Sequence, residues 1–492
     1  MRLKKITHLM LALLLTVLAV YPGYAHAEAQ NASASDTPEK KTIKVGLSAD
    51  FAPYEFIMTV DGNSKIVGSD VMIAEQIASD MGAELQLENM PFDSLLPALQ
   101  SGRIDMVISG MTPTDERRQN VDFSDLYYVS RQVILTRAGD VDKYKTMDEL
   151  AGKPIGVQTG SIQEEIANGI PDAQVTAVKS ISDVVSLLLS DRVDAAVFEG
   201  PVAESQVKNR AGLGIAEAVP EDSDTPMAIA VEKGNTGLLT QINSTLERLN
   251  SENAVDEYIR QANEMNTGET APGNIFSFFW KYRGFYGDGV KYTLLLSALG
   301  VLFGFLIGLL IALLRLSGVK ILKWIAVVYT EVLRGTPMLV QLLIIHFGFA
   351  TAFDIKFTVL QSGIITLSIN SSAYLAEIFR AGIQGVDKGQ MEAARSLGMP
   401  YGMAMRTIVI PQAIKSVLPA IGNEFVVIIK ESSIVSFIGV ADLMFQANAV
   451  RTLTYSGLYP LVIAAAIYLV MTLILSKLLN VFERRLSAGD NR

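Results

Sequence analysis

The sequence predicts two fold classes in one chain: an α/β domain with two lobes, then an all-α domain that spans a membrane. Three observations lead to this prediction. Short apolar strands alternate with amphipathic helices in residues 42–266, long apolar runs fill residues 285–492, and a signal-like segment precedes both. Alternating strands and helices build a sheet covered by helices, and an apolar run of about 20 residues can cross a bilayer.

The first 27 residues have the pattern of an export signal. Three basic side chains within the first five residues precede an apolar run at 6–20, and Ala-His-Ala at 25–27 is a small-x-small cleavage site. We expect a signal peptide at 1–27, with an uncleaved membrane anchor as the alternative. Either one places the following residues outside the cytoplasm. Residues 28–41 are small and polar, which predicts a tether.

Two blocks of alternating elements predict two lobes within residues 42–266. The first block pairs a strand at 43–47 with a helix that we expect Ser69 to cap. The second block has predicted strands at 154–157, 175–178 and 195–198 with helices between them, one of them at 181–189. Such units form parallel sheets, and two blocks of this size indicate two lobes. Ligands of these folds bind at the carboxyl ends of strands, here in a cleft between the lobes.

The remaining residues predict a linker and a membrane domain. Polar residues with Gly and Pro indicate a linker at 267–284, and residues 285–492 form the predicted membrane domain. Five apolar runs in it are long enough to be spans. The predicted spans are 292–314, 325–349, 359–378, 414–437 and 459–481.

The distribution of charge excludes nucleic-acid binding and orients the chain. The total charge is −10, with −21 in residues 28–270 and +8 in residues 271–492. Nucleic-acid binding needs a concentrated basic face, which an acidic domain lacks. Lys and Arg cluster after the first span, between the third and fourth spans, and at the C-terminus. By the positive-inside rule these regions are cytoplasmic, so the α/β domain faces outward from a bacterial plasma membrane.

Several kinds of site are not expected. The chain has no cysteine and only three histidines, which excludes disulfides, thiolate metal sites and a lipid-modified cysteine. We therefore expect no metal site and no bound cofactor. The phosphate-binding pattern G-x4-G-K-[ST] is absent, so the chain is not expected to hydrolyse ATP by that mechanism. No catalytic constellation is apparent, and we expect the chain not to be an enzyme.

One cytoplasmic segment carries a specific motif. Residues 392–411 read EAARSLGMPYGMAMRTIVIP, a predicted short helix that ends at Gly398 and a chain that is redirected by Pro411. The segment resembles the EAA motif of ABC importer permeases, and residues 333–337 (LRGTP) resemble the polar amino-acid branch of that family. The resemblance implies that this helix binds a separate ATPase, which uses ATP and Mg²⁺. The residues in register with the motif are Glu392, Ala393, Ala394, Gly398 and Pro411.

The α/β domain carries a second resemblance. Residues 109–117 (SGMTPTDER), with further matches at 122–128, resemble the amino-acid receptors of the type II periplasmic-binding-protein fold. An amino acid presents a carboxylate, which suits a guanidinium, and an ammonium, which suits an acid. The resemblance implies Arg117 for the carboxylate and Glu199 for the ammonium. Phe51 and Phe92 fall where the family sandwiches the ligand side chain. The other implied contacts are Ser48, Ser109, Gly110, Thr112, Gln158, Ser161 and Gln163.

The cues to the amino acid itself conflict. Relatives that bind cationic amino acids often have Asp at the position of Ser48, which favours a polar neutral ligand such as glutamine here. The stretch at 160–164 (GSIQE) instead resembles the relatives that bind cationic ligands such as arginine. Both ligand classes stay open at this point.

Charged residues in a predicted span are a separate candidate. Glu424 and Glu431 are seven residues apart and share one helix face, with Lys430 beside them. Charges in a membrane are costly, so they either line a substrate path or pair between spans or subunits.

The two resemblances imply an importer subunit. The extracellular domain would capture a polar or basic L-amino acid and deliver it to the fused permease, and an ATPase dimer would drive the spans. A homodimer of this chain would form the pathway, with a heterodimer of related permeases as the alternative. A ligand-gated channel would interrupt the receptor with its pore and carry a TVGYG-like filter, and a solute sensor would carry a signalling domain. Neither pattern occurs.

Overall fold

The computed structural model describes residues 41–60, 63–221, 223–266, 274–353, 355, 357–454 and 456–487. The predicted signal peptide at 1–27 and residues 28–40 of the predicted tether lie outside the described residues. So do residues 267–273 of the predicted linker.

Residues 42–266 contain the strands. Their bounds are β1 Thr42–Leu47, β2 Asp50–Phe51, β3 Glu55–Val60, β4 Asn63–Val67, β5 Glu84–Asn89, β6 Met106–Val107, β7 Val121–Arg137, β8 Pro154–Gln158, β9 Gln174–Val178, β10 Ala195–Glu199, β11 Leu213–Ile215 and β12 Asp224–Glu232. The helices of this part are α1 Ser69–Asp80, α2 Leu95–Gln100, α3 Asp115–Asn120, α4 Ile162–Asn168, α5 Ile181–Leu189, α6 Gly200–Asn209, α7 Thr236–Ser251 and α8 Ala254–Met265.

The strands form two lobes, as predicted. In lobe 1 (residues 42–128 and 227–266) β1 pairs in parallel with β5 and β6, and in lobe 2 (residues 132–221) β8 pairs in parallel with β9 and β10. The 17-residue strand β7 runs through both lobes, antiparallel to β12 and then to β10. This shared strand was not predicted. It joins the lobes into one nine-stranded sheet, in which eight strands follow one path and β11 pairs with β7 beside it.

Local sequence explains where the site-bearing helices begin. Helix α5 has the predicted bounds, because the Ser180 side chain caps it by accepting from the Asp183 backbone N–H at 3.1 Å. The predicted cap by Ser69 is wrong: α1 begins at Ser69 itself and follows Gly68, whose φ is +135°. A Cβ on Gly68 would lie 2.0 Å from the Tyr54 carbonyl oxygen, so this close approach needs glycine.

Residues 274–487 are helical. The bounds are α9 Ile275–Arg315, α10 Lys320–Gly335, α11 Met338–Leu343, α12 Phe349–Phe353, α13 Val359–Gln384, α14 Lys388–Ser396, α15 Tyr401–Ala404, α16 Ile410–Glu431, α17 Leu443–Thr454 and α18 Tyr459–Ser487. Short π-helical turns join α11 to α12 and α15 to α16, and a 3₁₀ segment, Ser432–Ile438, follows α16.

The number of spans differs from the five predicted. Among the described residues, three helical runs are long and apolar enough to cross a membrane: Ile275–Arg315, Tyr401–Ile438 and Tyr459–Val481. A fourth is possible if the pair α10 and α11–α12, bent by 107°, is one span. The predicted span at 359–378 lies within α13, which is long enough at 26 residues but not apolar enough to be counted with these runs.

The predicted span at 325–349 is interrupted, because the chain bends at Thr336-Pro337. Residues before proline avoid the α conformation, and Thr336 is extended at φ −114° and ψ 144°. The Gln341 side chain then donates to the Leu333 and Thr336 carbonyl oxygens at 2.7 and 3.1 Å. These bonds satisfy carbonyls that the end of the helix leaves without helical partners.

Two predicted boundaries also move. The predicted linker to residue 284 is too long, since α9 begins at Ile275 with Asn274 capping it by accepting from the Ser277 N–H at 2.8 Å. Pro411 does not redirect the chain. It lies in the helical run 401–431 directly after a π turn, and a π turn is a local irregularity that can accommodate a proline lacking its N–H.

Candidate functional site

All eleven residues predicted to contact an amino acid line one cavity between the lobes. The cavity is small, about 20 Å³, and little open to the surroundings. Its predicted lining residues are Ser48, Phe51, Phe92, Ser109, Gly110, Thr112, Arg117, Gln158, Ser161, Gln163 and Glu199. Gln132 and Ile162 also line it and were not predicted. Ile162 directly follows Ser161, but Gln132 lies on the shared strand β7, which the sequence pattern did not reveal.

Arg117 is the cationic group of the cavity. Helix α3 begins two residues earlier, with the Thr114 side chain accepting from the Arg117 backbone N–H at 3.3 Å. The Arg117 guanidinium donates to the Thr112 carbonyl in lobe 1 at 2.7 Å and to the Gly160 carbonyl in lobe 2 at 3.0 Å. It lies 5.6 Å from the centre of the Phe92 ring. The side chain is 9% exposed, and burial lowers its pKa.

A buried acid faces the cavity from lobe 2. Glu199 ends β10 and is 2% exposed. Its Oε2 has no hydrogen-bond partner among the described residues. Burial raises the pKa of the Glu199 carboxyl well above its usual range. A buried carboxyl without a partner at a cavity is suited to accept from a ligand donor.

The lobe 1 wall of the cavity consists of hydroxyls that donate to acids behind them. The Ser48 hydroxyl donates to Asp50 Oδ1 at 2.9 Å, and the Ser109 hydroxyl donates to Glu55 Oε1 at 2.5 Å. Burial raises the pKa of Asp50 to about 6 and that of Glu55 well above its usual range. A hydroxyl that donates its hydrogen bond to a carboxyl can only accept a hydrogen bond from a ligand.

The same arrangement continues at the next residue. The Gly110 backbone N–H donates to Asp70 Oδ2 at 3.0 Å, and the Tyr127 hydroxyl donates to the same oxygen at 2.9 Å. Burial raises the pKa of Asp70 to about 6. Two buried acids, Glu55 and Asp70, and the partly buried Asp50 therefore lie behind the lobe 1 wall.

The lobe 2 wall is polar and neutral. Ser161 caps α4, accepting from the Glu164 N–H at 3.3 Å and donating to the Gln158 carbonyl at 2.7 Å. The Gln163 amide donates to Gln132 Oε1 at 3.0 Å. These contacts fix Ser161 and Gln163 in place.

Contacts across the cleft show that the lobes are closed. The Ile181 backbone N–H of lobe 2 donates to Asp50 Oδ2 of lobe 1 at 3.0 Å. Lys179 of lobe 2 forms an ion pair with Asp93 of lobe 1 at 3.2 Å. Together with the Arg117 bridge, these contacts close the lobes around the cavity.

The EAA-like segment forms an exposed helix and turn. Glu392, Ala393 and Ala394 lie on α14, and Ala394 is buried. Gly398 ends the helix with φ +81°, and its N–H donates to the Arg395 carbonyl at 3.1 Å. Large apolar side chains after α14 are exposed: Leu397 is 84% and Tyr401 is 62% exposed.

Two family matches cover most of the chain. Residues 43–262 match the bacterial extracellular solute-binding proteins, family 3, and residues 304–488 match the inner membrane component of binding-protein-dependent transport systems. A permease protein of Rickettsia bellii, provisionally named for glutamine transport, is 42% identical over 202 residues, which are 41% of this chain and 93% of that protein. The chain belongs to the amino-acid ABC transporters.

Other relatives match each half of this ABC transporter chain. The arginine transport system permease protein of Bacillus subtilis is 41% identical over 203 residues, which are 41% of this chain and 93% of that protein. The arginine-binding extracellular protein of the same organism is 37% identical over 243 residues, 48% of this chain and 91% of that protein. A solute-binding domain is thus fused to a permease domain, and such domains are components of transporters rather than enzymes. It is a membrane protein whose solute-binding domain faces outward.

The predicted membrane-path residues lie on one helix of the permease. Glu424 is 8% exposed on α16, Glu431 ends that helix and is half-buried, and Lys430 is exposed. The path role of these residues stays a prediction. Among the described residues, no group of His, Cys, Asp or Glu side chains could hold a metal ion.

Proposed function

We propose that this chain is the receptor and membrane subunit of an ATP-driven importer of a basic L-amino acid, with arginine as the expected ligand. The observation that supports this best is the donor and acceptor pattern of the closed cavity. One side offers the Arg117 guanidinium, and the lobe 1 wall offers the Ser48 and Ser109 hydroxyls, which donate to acids behind them and so can only accept from a ligand.

The shared part of an amino acid fits the two charged groups of the cavity. Arg117 has five N–H donors, of which the Thr112 and Gly160 carbonyls accept two. The remaining donors would bind the ligand carboxylate. Glu199 would accept from the ligand ammonium, which would supply the partner that its Oε2 lacks within the described residues.

The lobe 1 wall would determine the specificity for the ligand side chain. Guanidinium and ammonium groups only donate hydrogen bonds. The Ser48 and Ser109 hydroxyls donate their own hydrogen bonds to Asp50 and Glu55, so they can only accept from a ligand. Asp50 and Asp70, whose pKa values are raised only to about 6, would be mainly ionised near neutral pH and would favour a positive charge nearby. Phe51 and Phe92 would stack on a flat guanidinium, a favourable contact for arginine.

Glutamine is the second candidate, and one feature favours it. Three amide side chains line the cavity, those of Gln132, Gln158 and Gln163. An amide ligand both donates and accepts, so it could pair with them. It would gain nothing from the acids behind Ser48, Ser109 and Gly110, and we therefore rank it below arginine.

The energy would come from a partner. The exposed Leu397 and Tyr401 beside α14 offer an apolar surface for a cytoplasmic ATPase, which would hold ATP and Mg²⁺ while this chain holds no cofactor. The EAA-like segment and the C-terminus would then be cytoplasmic. Two copies of this chain would form the pathway with two ATPases, and pairing with a related permease is the alternative.

Calorimetric titration of the full chain in detergent against each of the twenty amino acids tests the ligand. We expect heat with L-arginine at micromolar or lower concentration, weaker heat with lysine and histidine, and little with glutamine. Glutamine-only binding would replace the basic ligand by the polar one. A folded chain that binds none of the twenty would contradict the amino-acid assignment.

A further inference from the structure

The receptor and the permease share a seam in which the two lobes make contacts of different kinds. Lobe 1 contributes apolar residues to one cluster with the permease helices α9 and α17. From lobe 1 the cluster contains Leu47, Ala49, Ile57 and Val71, and from the permease it contains Phe278, Tyr282, Phe285, Tyr286, Leu443, Ala447, Ala449, Val450 and Leu453. Burial of this apolar and aromatic surface stabilises the contact between lobe 1 and the permease, and no described residue of lobe 2 belongs to the cluster.

Two further contacts fix lobe 1 at the edge of the seam. The Arg103 guanidinium lies 2.8 Å from His346 Nδ1 and donates to the His346 carbonyl at 3.4 Å. The backbone of Gly439 lies so close to Asn89 that a Cβ there would be 2.8 Å from the Asn89 carbonyl oxygen. The chain also leaves lobe 1 through α8 and enters α9 at Ile275, nine residues after Asn266. A short tether of this kind keeps lobe 1 at a high local concentration beside its seat.

The contacts that the structure shows for lobe 2 are ionic and polar. Arg451 of α17 forms an ion pair with Asp183 of α5. The Lys179 ammonium lies 4.5 Å from the centre of the Phe437 ring. Charge-assisted hydrogen bonds require close and aligned groups, so a rotation of lobe 2 that opens the cleft would break them.

The same short segment of lobe 2 makes the cleft contacts and the permease contacts. Within residues 179–183, Lys179 pairs with Asp93 of lobe 1 and also contacts Phe437 of the permease. Two residues on, the Ile181 N–H donates to Asp50 of lobe 1, and Asp183 pairs with Arg451. Closure and docking of lobe 2 thus depend on one placement of this segment.

The segment is also linked to the ligand cavity. The Gln158 side chain, which lines the cavity, donates to the Lys179 carbonyl at 3.2 Å. A second cavity of about 170 Å³ lies on the other side of the segment, between both lobes and the permease, and is lined by Ser48, Asp50, Lys179, Asp183 and Arg451 among others. Ser48 lines both cavities. A change at the ligand therefore has a direct route to the seam.

We propose that lobe 1 stays seated on the permease with or without ligand, and that lobe 2 docks through Lys179 and Asp183 only when the lobes close. The permease would then sense ligand as the arrival of the Asp183 carboxylate at Arg451, not as the arrival of a whole receptor. The inference rests on the proposed function only for the choice of ligand.

Paired cysteines in this cysteine-free chain test separately the contact of lobe 1 with the permease and the contact of lobe 2 with the permease. A Cβ on Gly457 would lie 3.9 Å from Ser186 Cβ of lobe 2, and a Cβ on Gly439 would lie 4.0 Å from Met90 Cβ of lobe 1. Both distances suit a disulfide. In the full chain in nanodiscs, saturating L-arginine should speed oxidation of Ser186→Cys with Gly457→Cys by about tenfold. Oxidation of Met90→Cys with Gly439→Cys should not change.

Each other outcome overturns the inference. Ligand-dependent oxidation of both pairs would mean that the whole receptor docks and leaves. Rates without ligand dependence in both pairs, in a chain that binds arginine by calorimetry, would mean that both lobes are always seated. Cysteine at Gly439 is strained, because φ is +87° there and its Cβ would lie 2.8 Å from the Asn89 carbonyl oxygen. Amide protection of residues 278–286, which cluster with lobe 1, is therefore measured in the unsubstituted chain as well and should not change with ligand.

A covalent lock tests the link between closure and docking without any ligand. A Cβ on Gly160 of lobe 2 would lie 3.6 Å from Asp93 Cβ of lobe 1. Oxidation of Asp93→Cys with Gly160→Cys should raise amide protection in residues 443–454 of the permease, and reduction should reverse it. No rise on oxidation would contradict the inference when Asp93→Cys alone still shows the rise that arginine induces. A rise in a chain that binds no amino acid would contradict the proposed function instead.

A matched pair of substitutions identifies the docking carboxylate. In Asp183→Asn we expect arginine to bind but to raise no protection in residues 443–454. Asp191→Asn is the control, because Asp191 is a lobe 2 carboxylate that pairs with Arg137 of its own lobe at 3.2 Å. Equal protection in both variants would show that the pair of Asp183 with Arg451 does not dock lobe 2.

Discussion

The receptor part and the membrane part of this chain both bury polar side chains, but they arrange them differently. In the receptor, Arg117 and Glu199 converge on one cavity, and Glu199 Oε2 has no partner among the described residues. In the permease, Asn370 donates to Gln341 at 3.1 Å, and Arg315 pairs with Glu377 at 2.6 Å. Convergence on a cavity indicates binding, whereas pairing between helices indicates a role in holding the helices together.

The surroundings explain this difference. A lipid-facing bundle cannot use water to satisfy polar groups, so polar side chains join neighbouring helices instead. The Tyr329 hydroxyl and the Ser372 hydroxyl, 2.6 Å apart, link α10 to α13 in this way. A receptor closes in water, and the groups it buries by closing can be left for the ligand.

The largest effect on binding is expected from replacing Arg117, the cationic side chain of the receptor cavity. Arg117→Ala should weaken amino-acid binding by at least about 100-fold, because a carboxylate loses a bidentate charged partner. Calorimetry on the full chain measures it. Arg118→Ala is the control, since the exposed Arg118 donates to the Pro113 carbonyl outside the cavity. Similar losses in both variants would remove Arg117 from the site.

In the permease, we expect replacement of a paired carboxylate to lower stability without weakening ligand binding. Glu377→Gln removes the carboxylate that pairs with Arg315 and Arg380 and should destabilise the permease by roughly 2–4 kcal/mol. Thermal unfolding in detergent should show this, and arginine affinity should stay unchanged. Glu331→Gln, on an exposed carboxylate of α10, should have little effect. Weakened ligand binding in Glu377→Gln would contradict the division of roles.

The acid of the receptor should make binding depend on pH. Burial raises the pKa of Glu199, and a ligand ammonium would bind the ionised carboxylate. Below that raised pKa the carboxyl is protonated and must lose its proton before the ligand can bind. Affinity should therefore fall as the pH falls through the raised pKa of Glu199. Glu199→Gln should bind about tenfold more weakly near neutral pH and lose most of this dependence. An unchanged slope in Glu199→Gln would assign it to Asp50 or Asp70, whose pKa values are raised to about 6.

A smaller effect is expected from the wall of the cavity. A Cβ on Gly110 would lie 2.7 Å from Phe51 Cε1, so Gly110→Ala should displace the Phe51 ring and weaken binding by several-fold. Gly82→Ala is the matched control: its φ of +62° is similar to the +52° of Gly110, but its Cβ would meet nothing. Equal effects would attribute the change to backbone strain alone.

The smallest effect on the receptor is expected from the membrane charges. Glu431→Gln should leave arginine affinity unchanged and reduce transport if Glu431 lines the path. Uptake by vesicles that contain equal amounts of assembled protein measures this. Unchanged uptake would remove Glu431 from the path and favour a structural pairing.

The sequence predicted which residues line the cavity between the lobes better than it predicted the bends of the membrane domain, and the reason is physical. The cavity residues follow strand ends and helix caps, such as Ser161 at the start of α4, where local pattern determines position. Gln132 was missed because β7 has no simple alternation of buried and exposed residues. The bend at Thr336-Pro337 was missed because hydropathy does not register backbone direction. The seam contact of Arg451 with Asp183 joins residues 268 positions apart and has no local signal.

ATP-dependent uptake tests the central claim most directly. The full chain, purified with its ATPase and placed in liposomes with the receptor outside, should import labelled L-arginine only when ATP is inside. Arg117→Ala should abolish uptake while the complex stays assembled. Arginine flux that needs no ATP would contradict the importer and favour a ligand-gated channel.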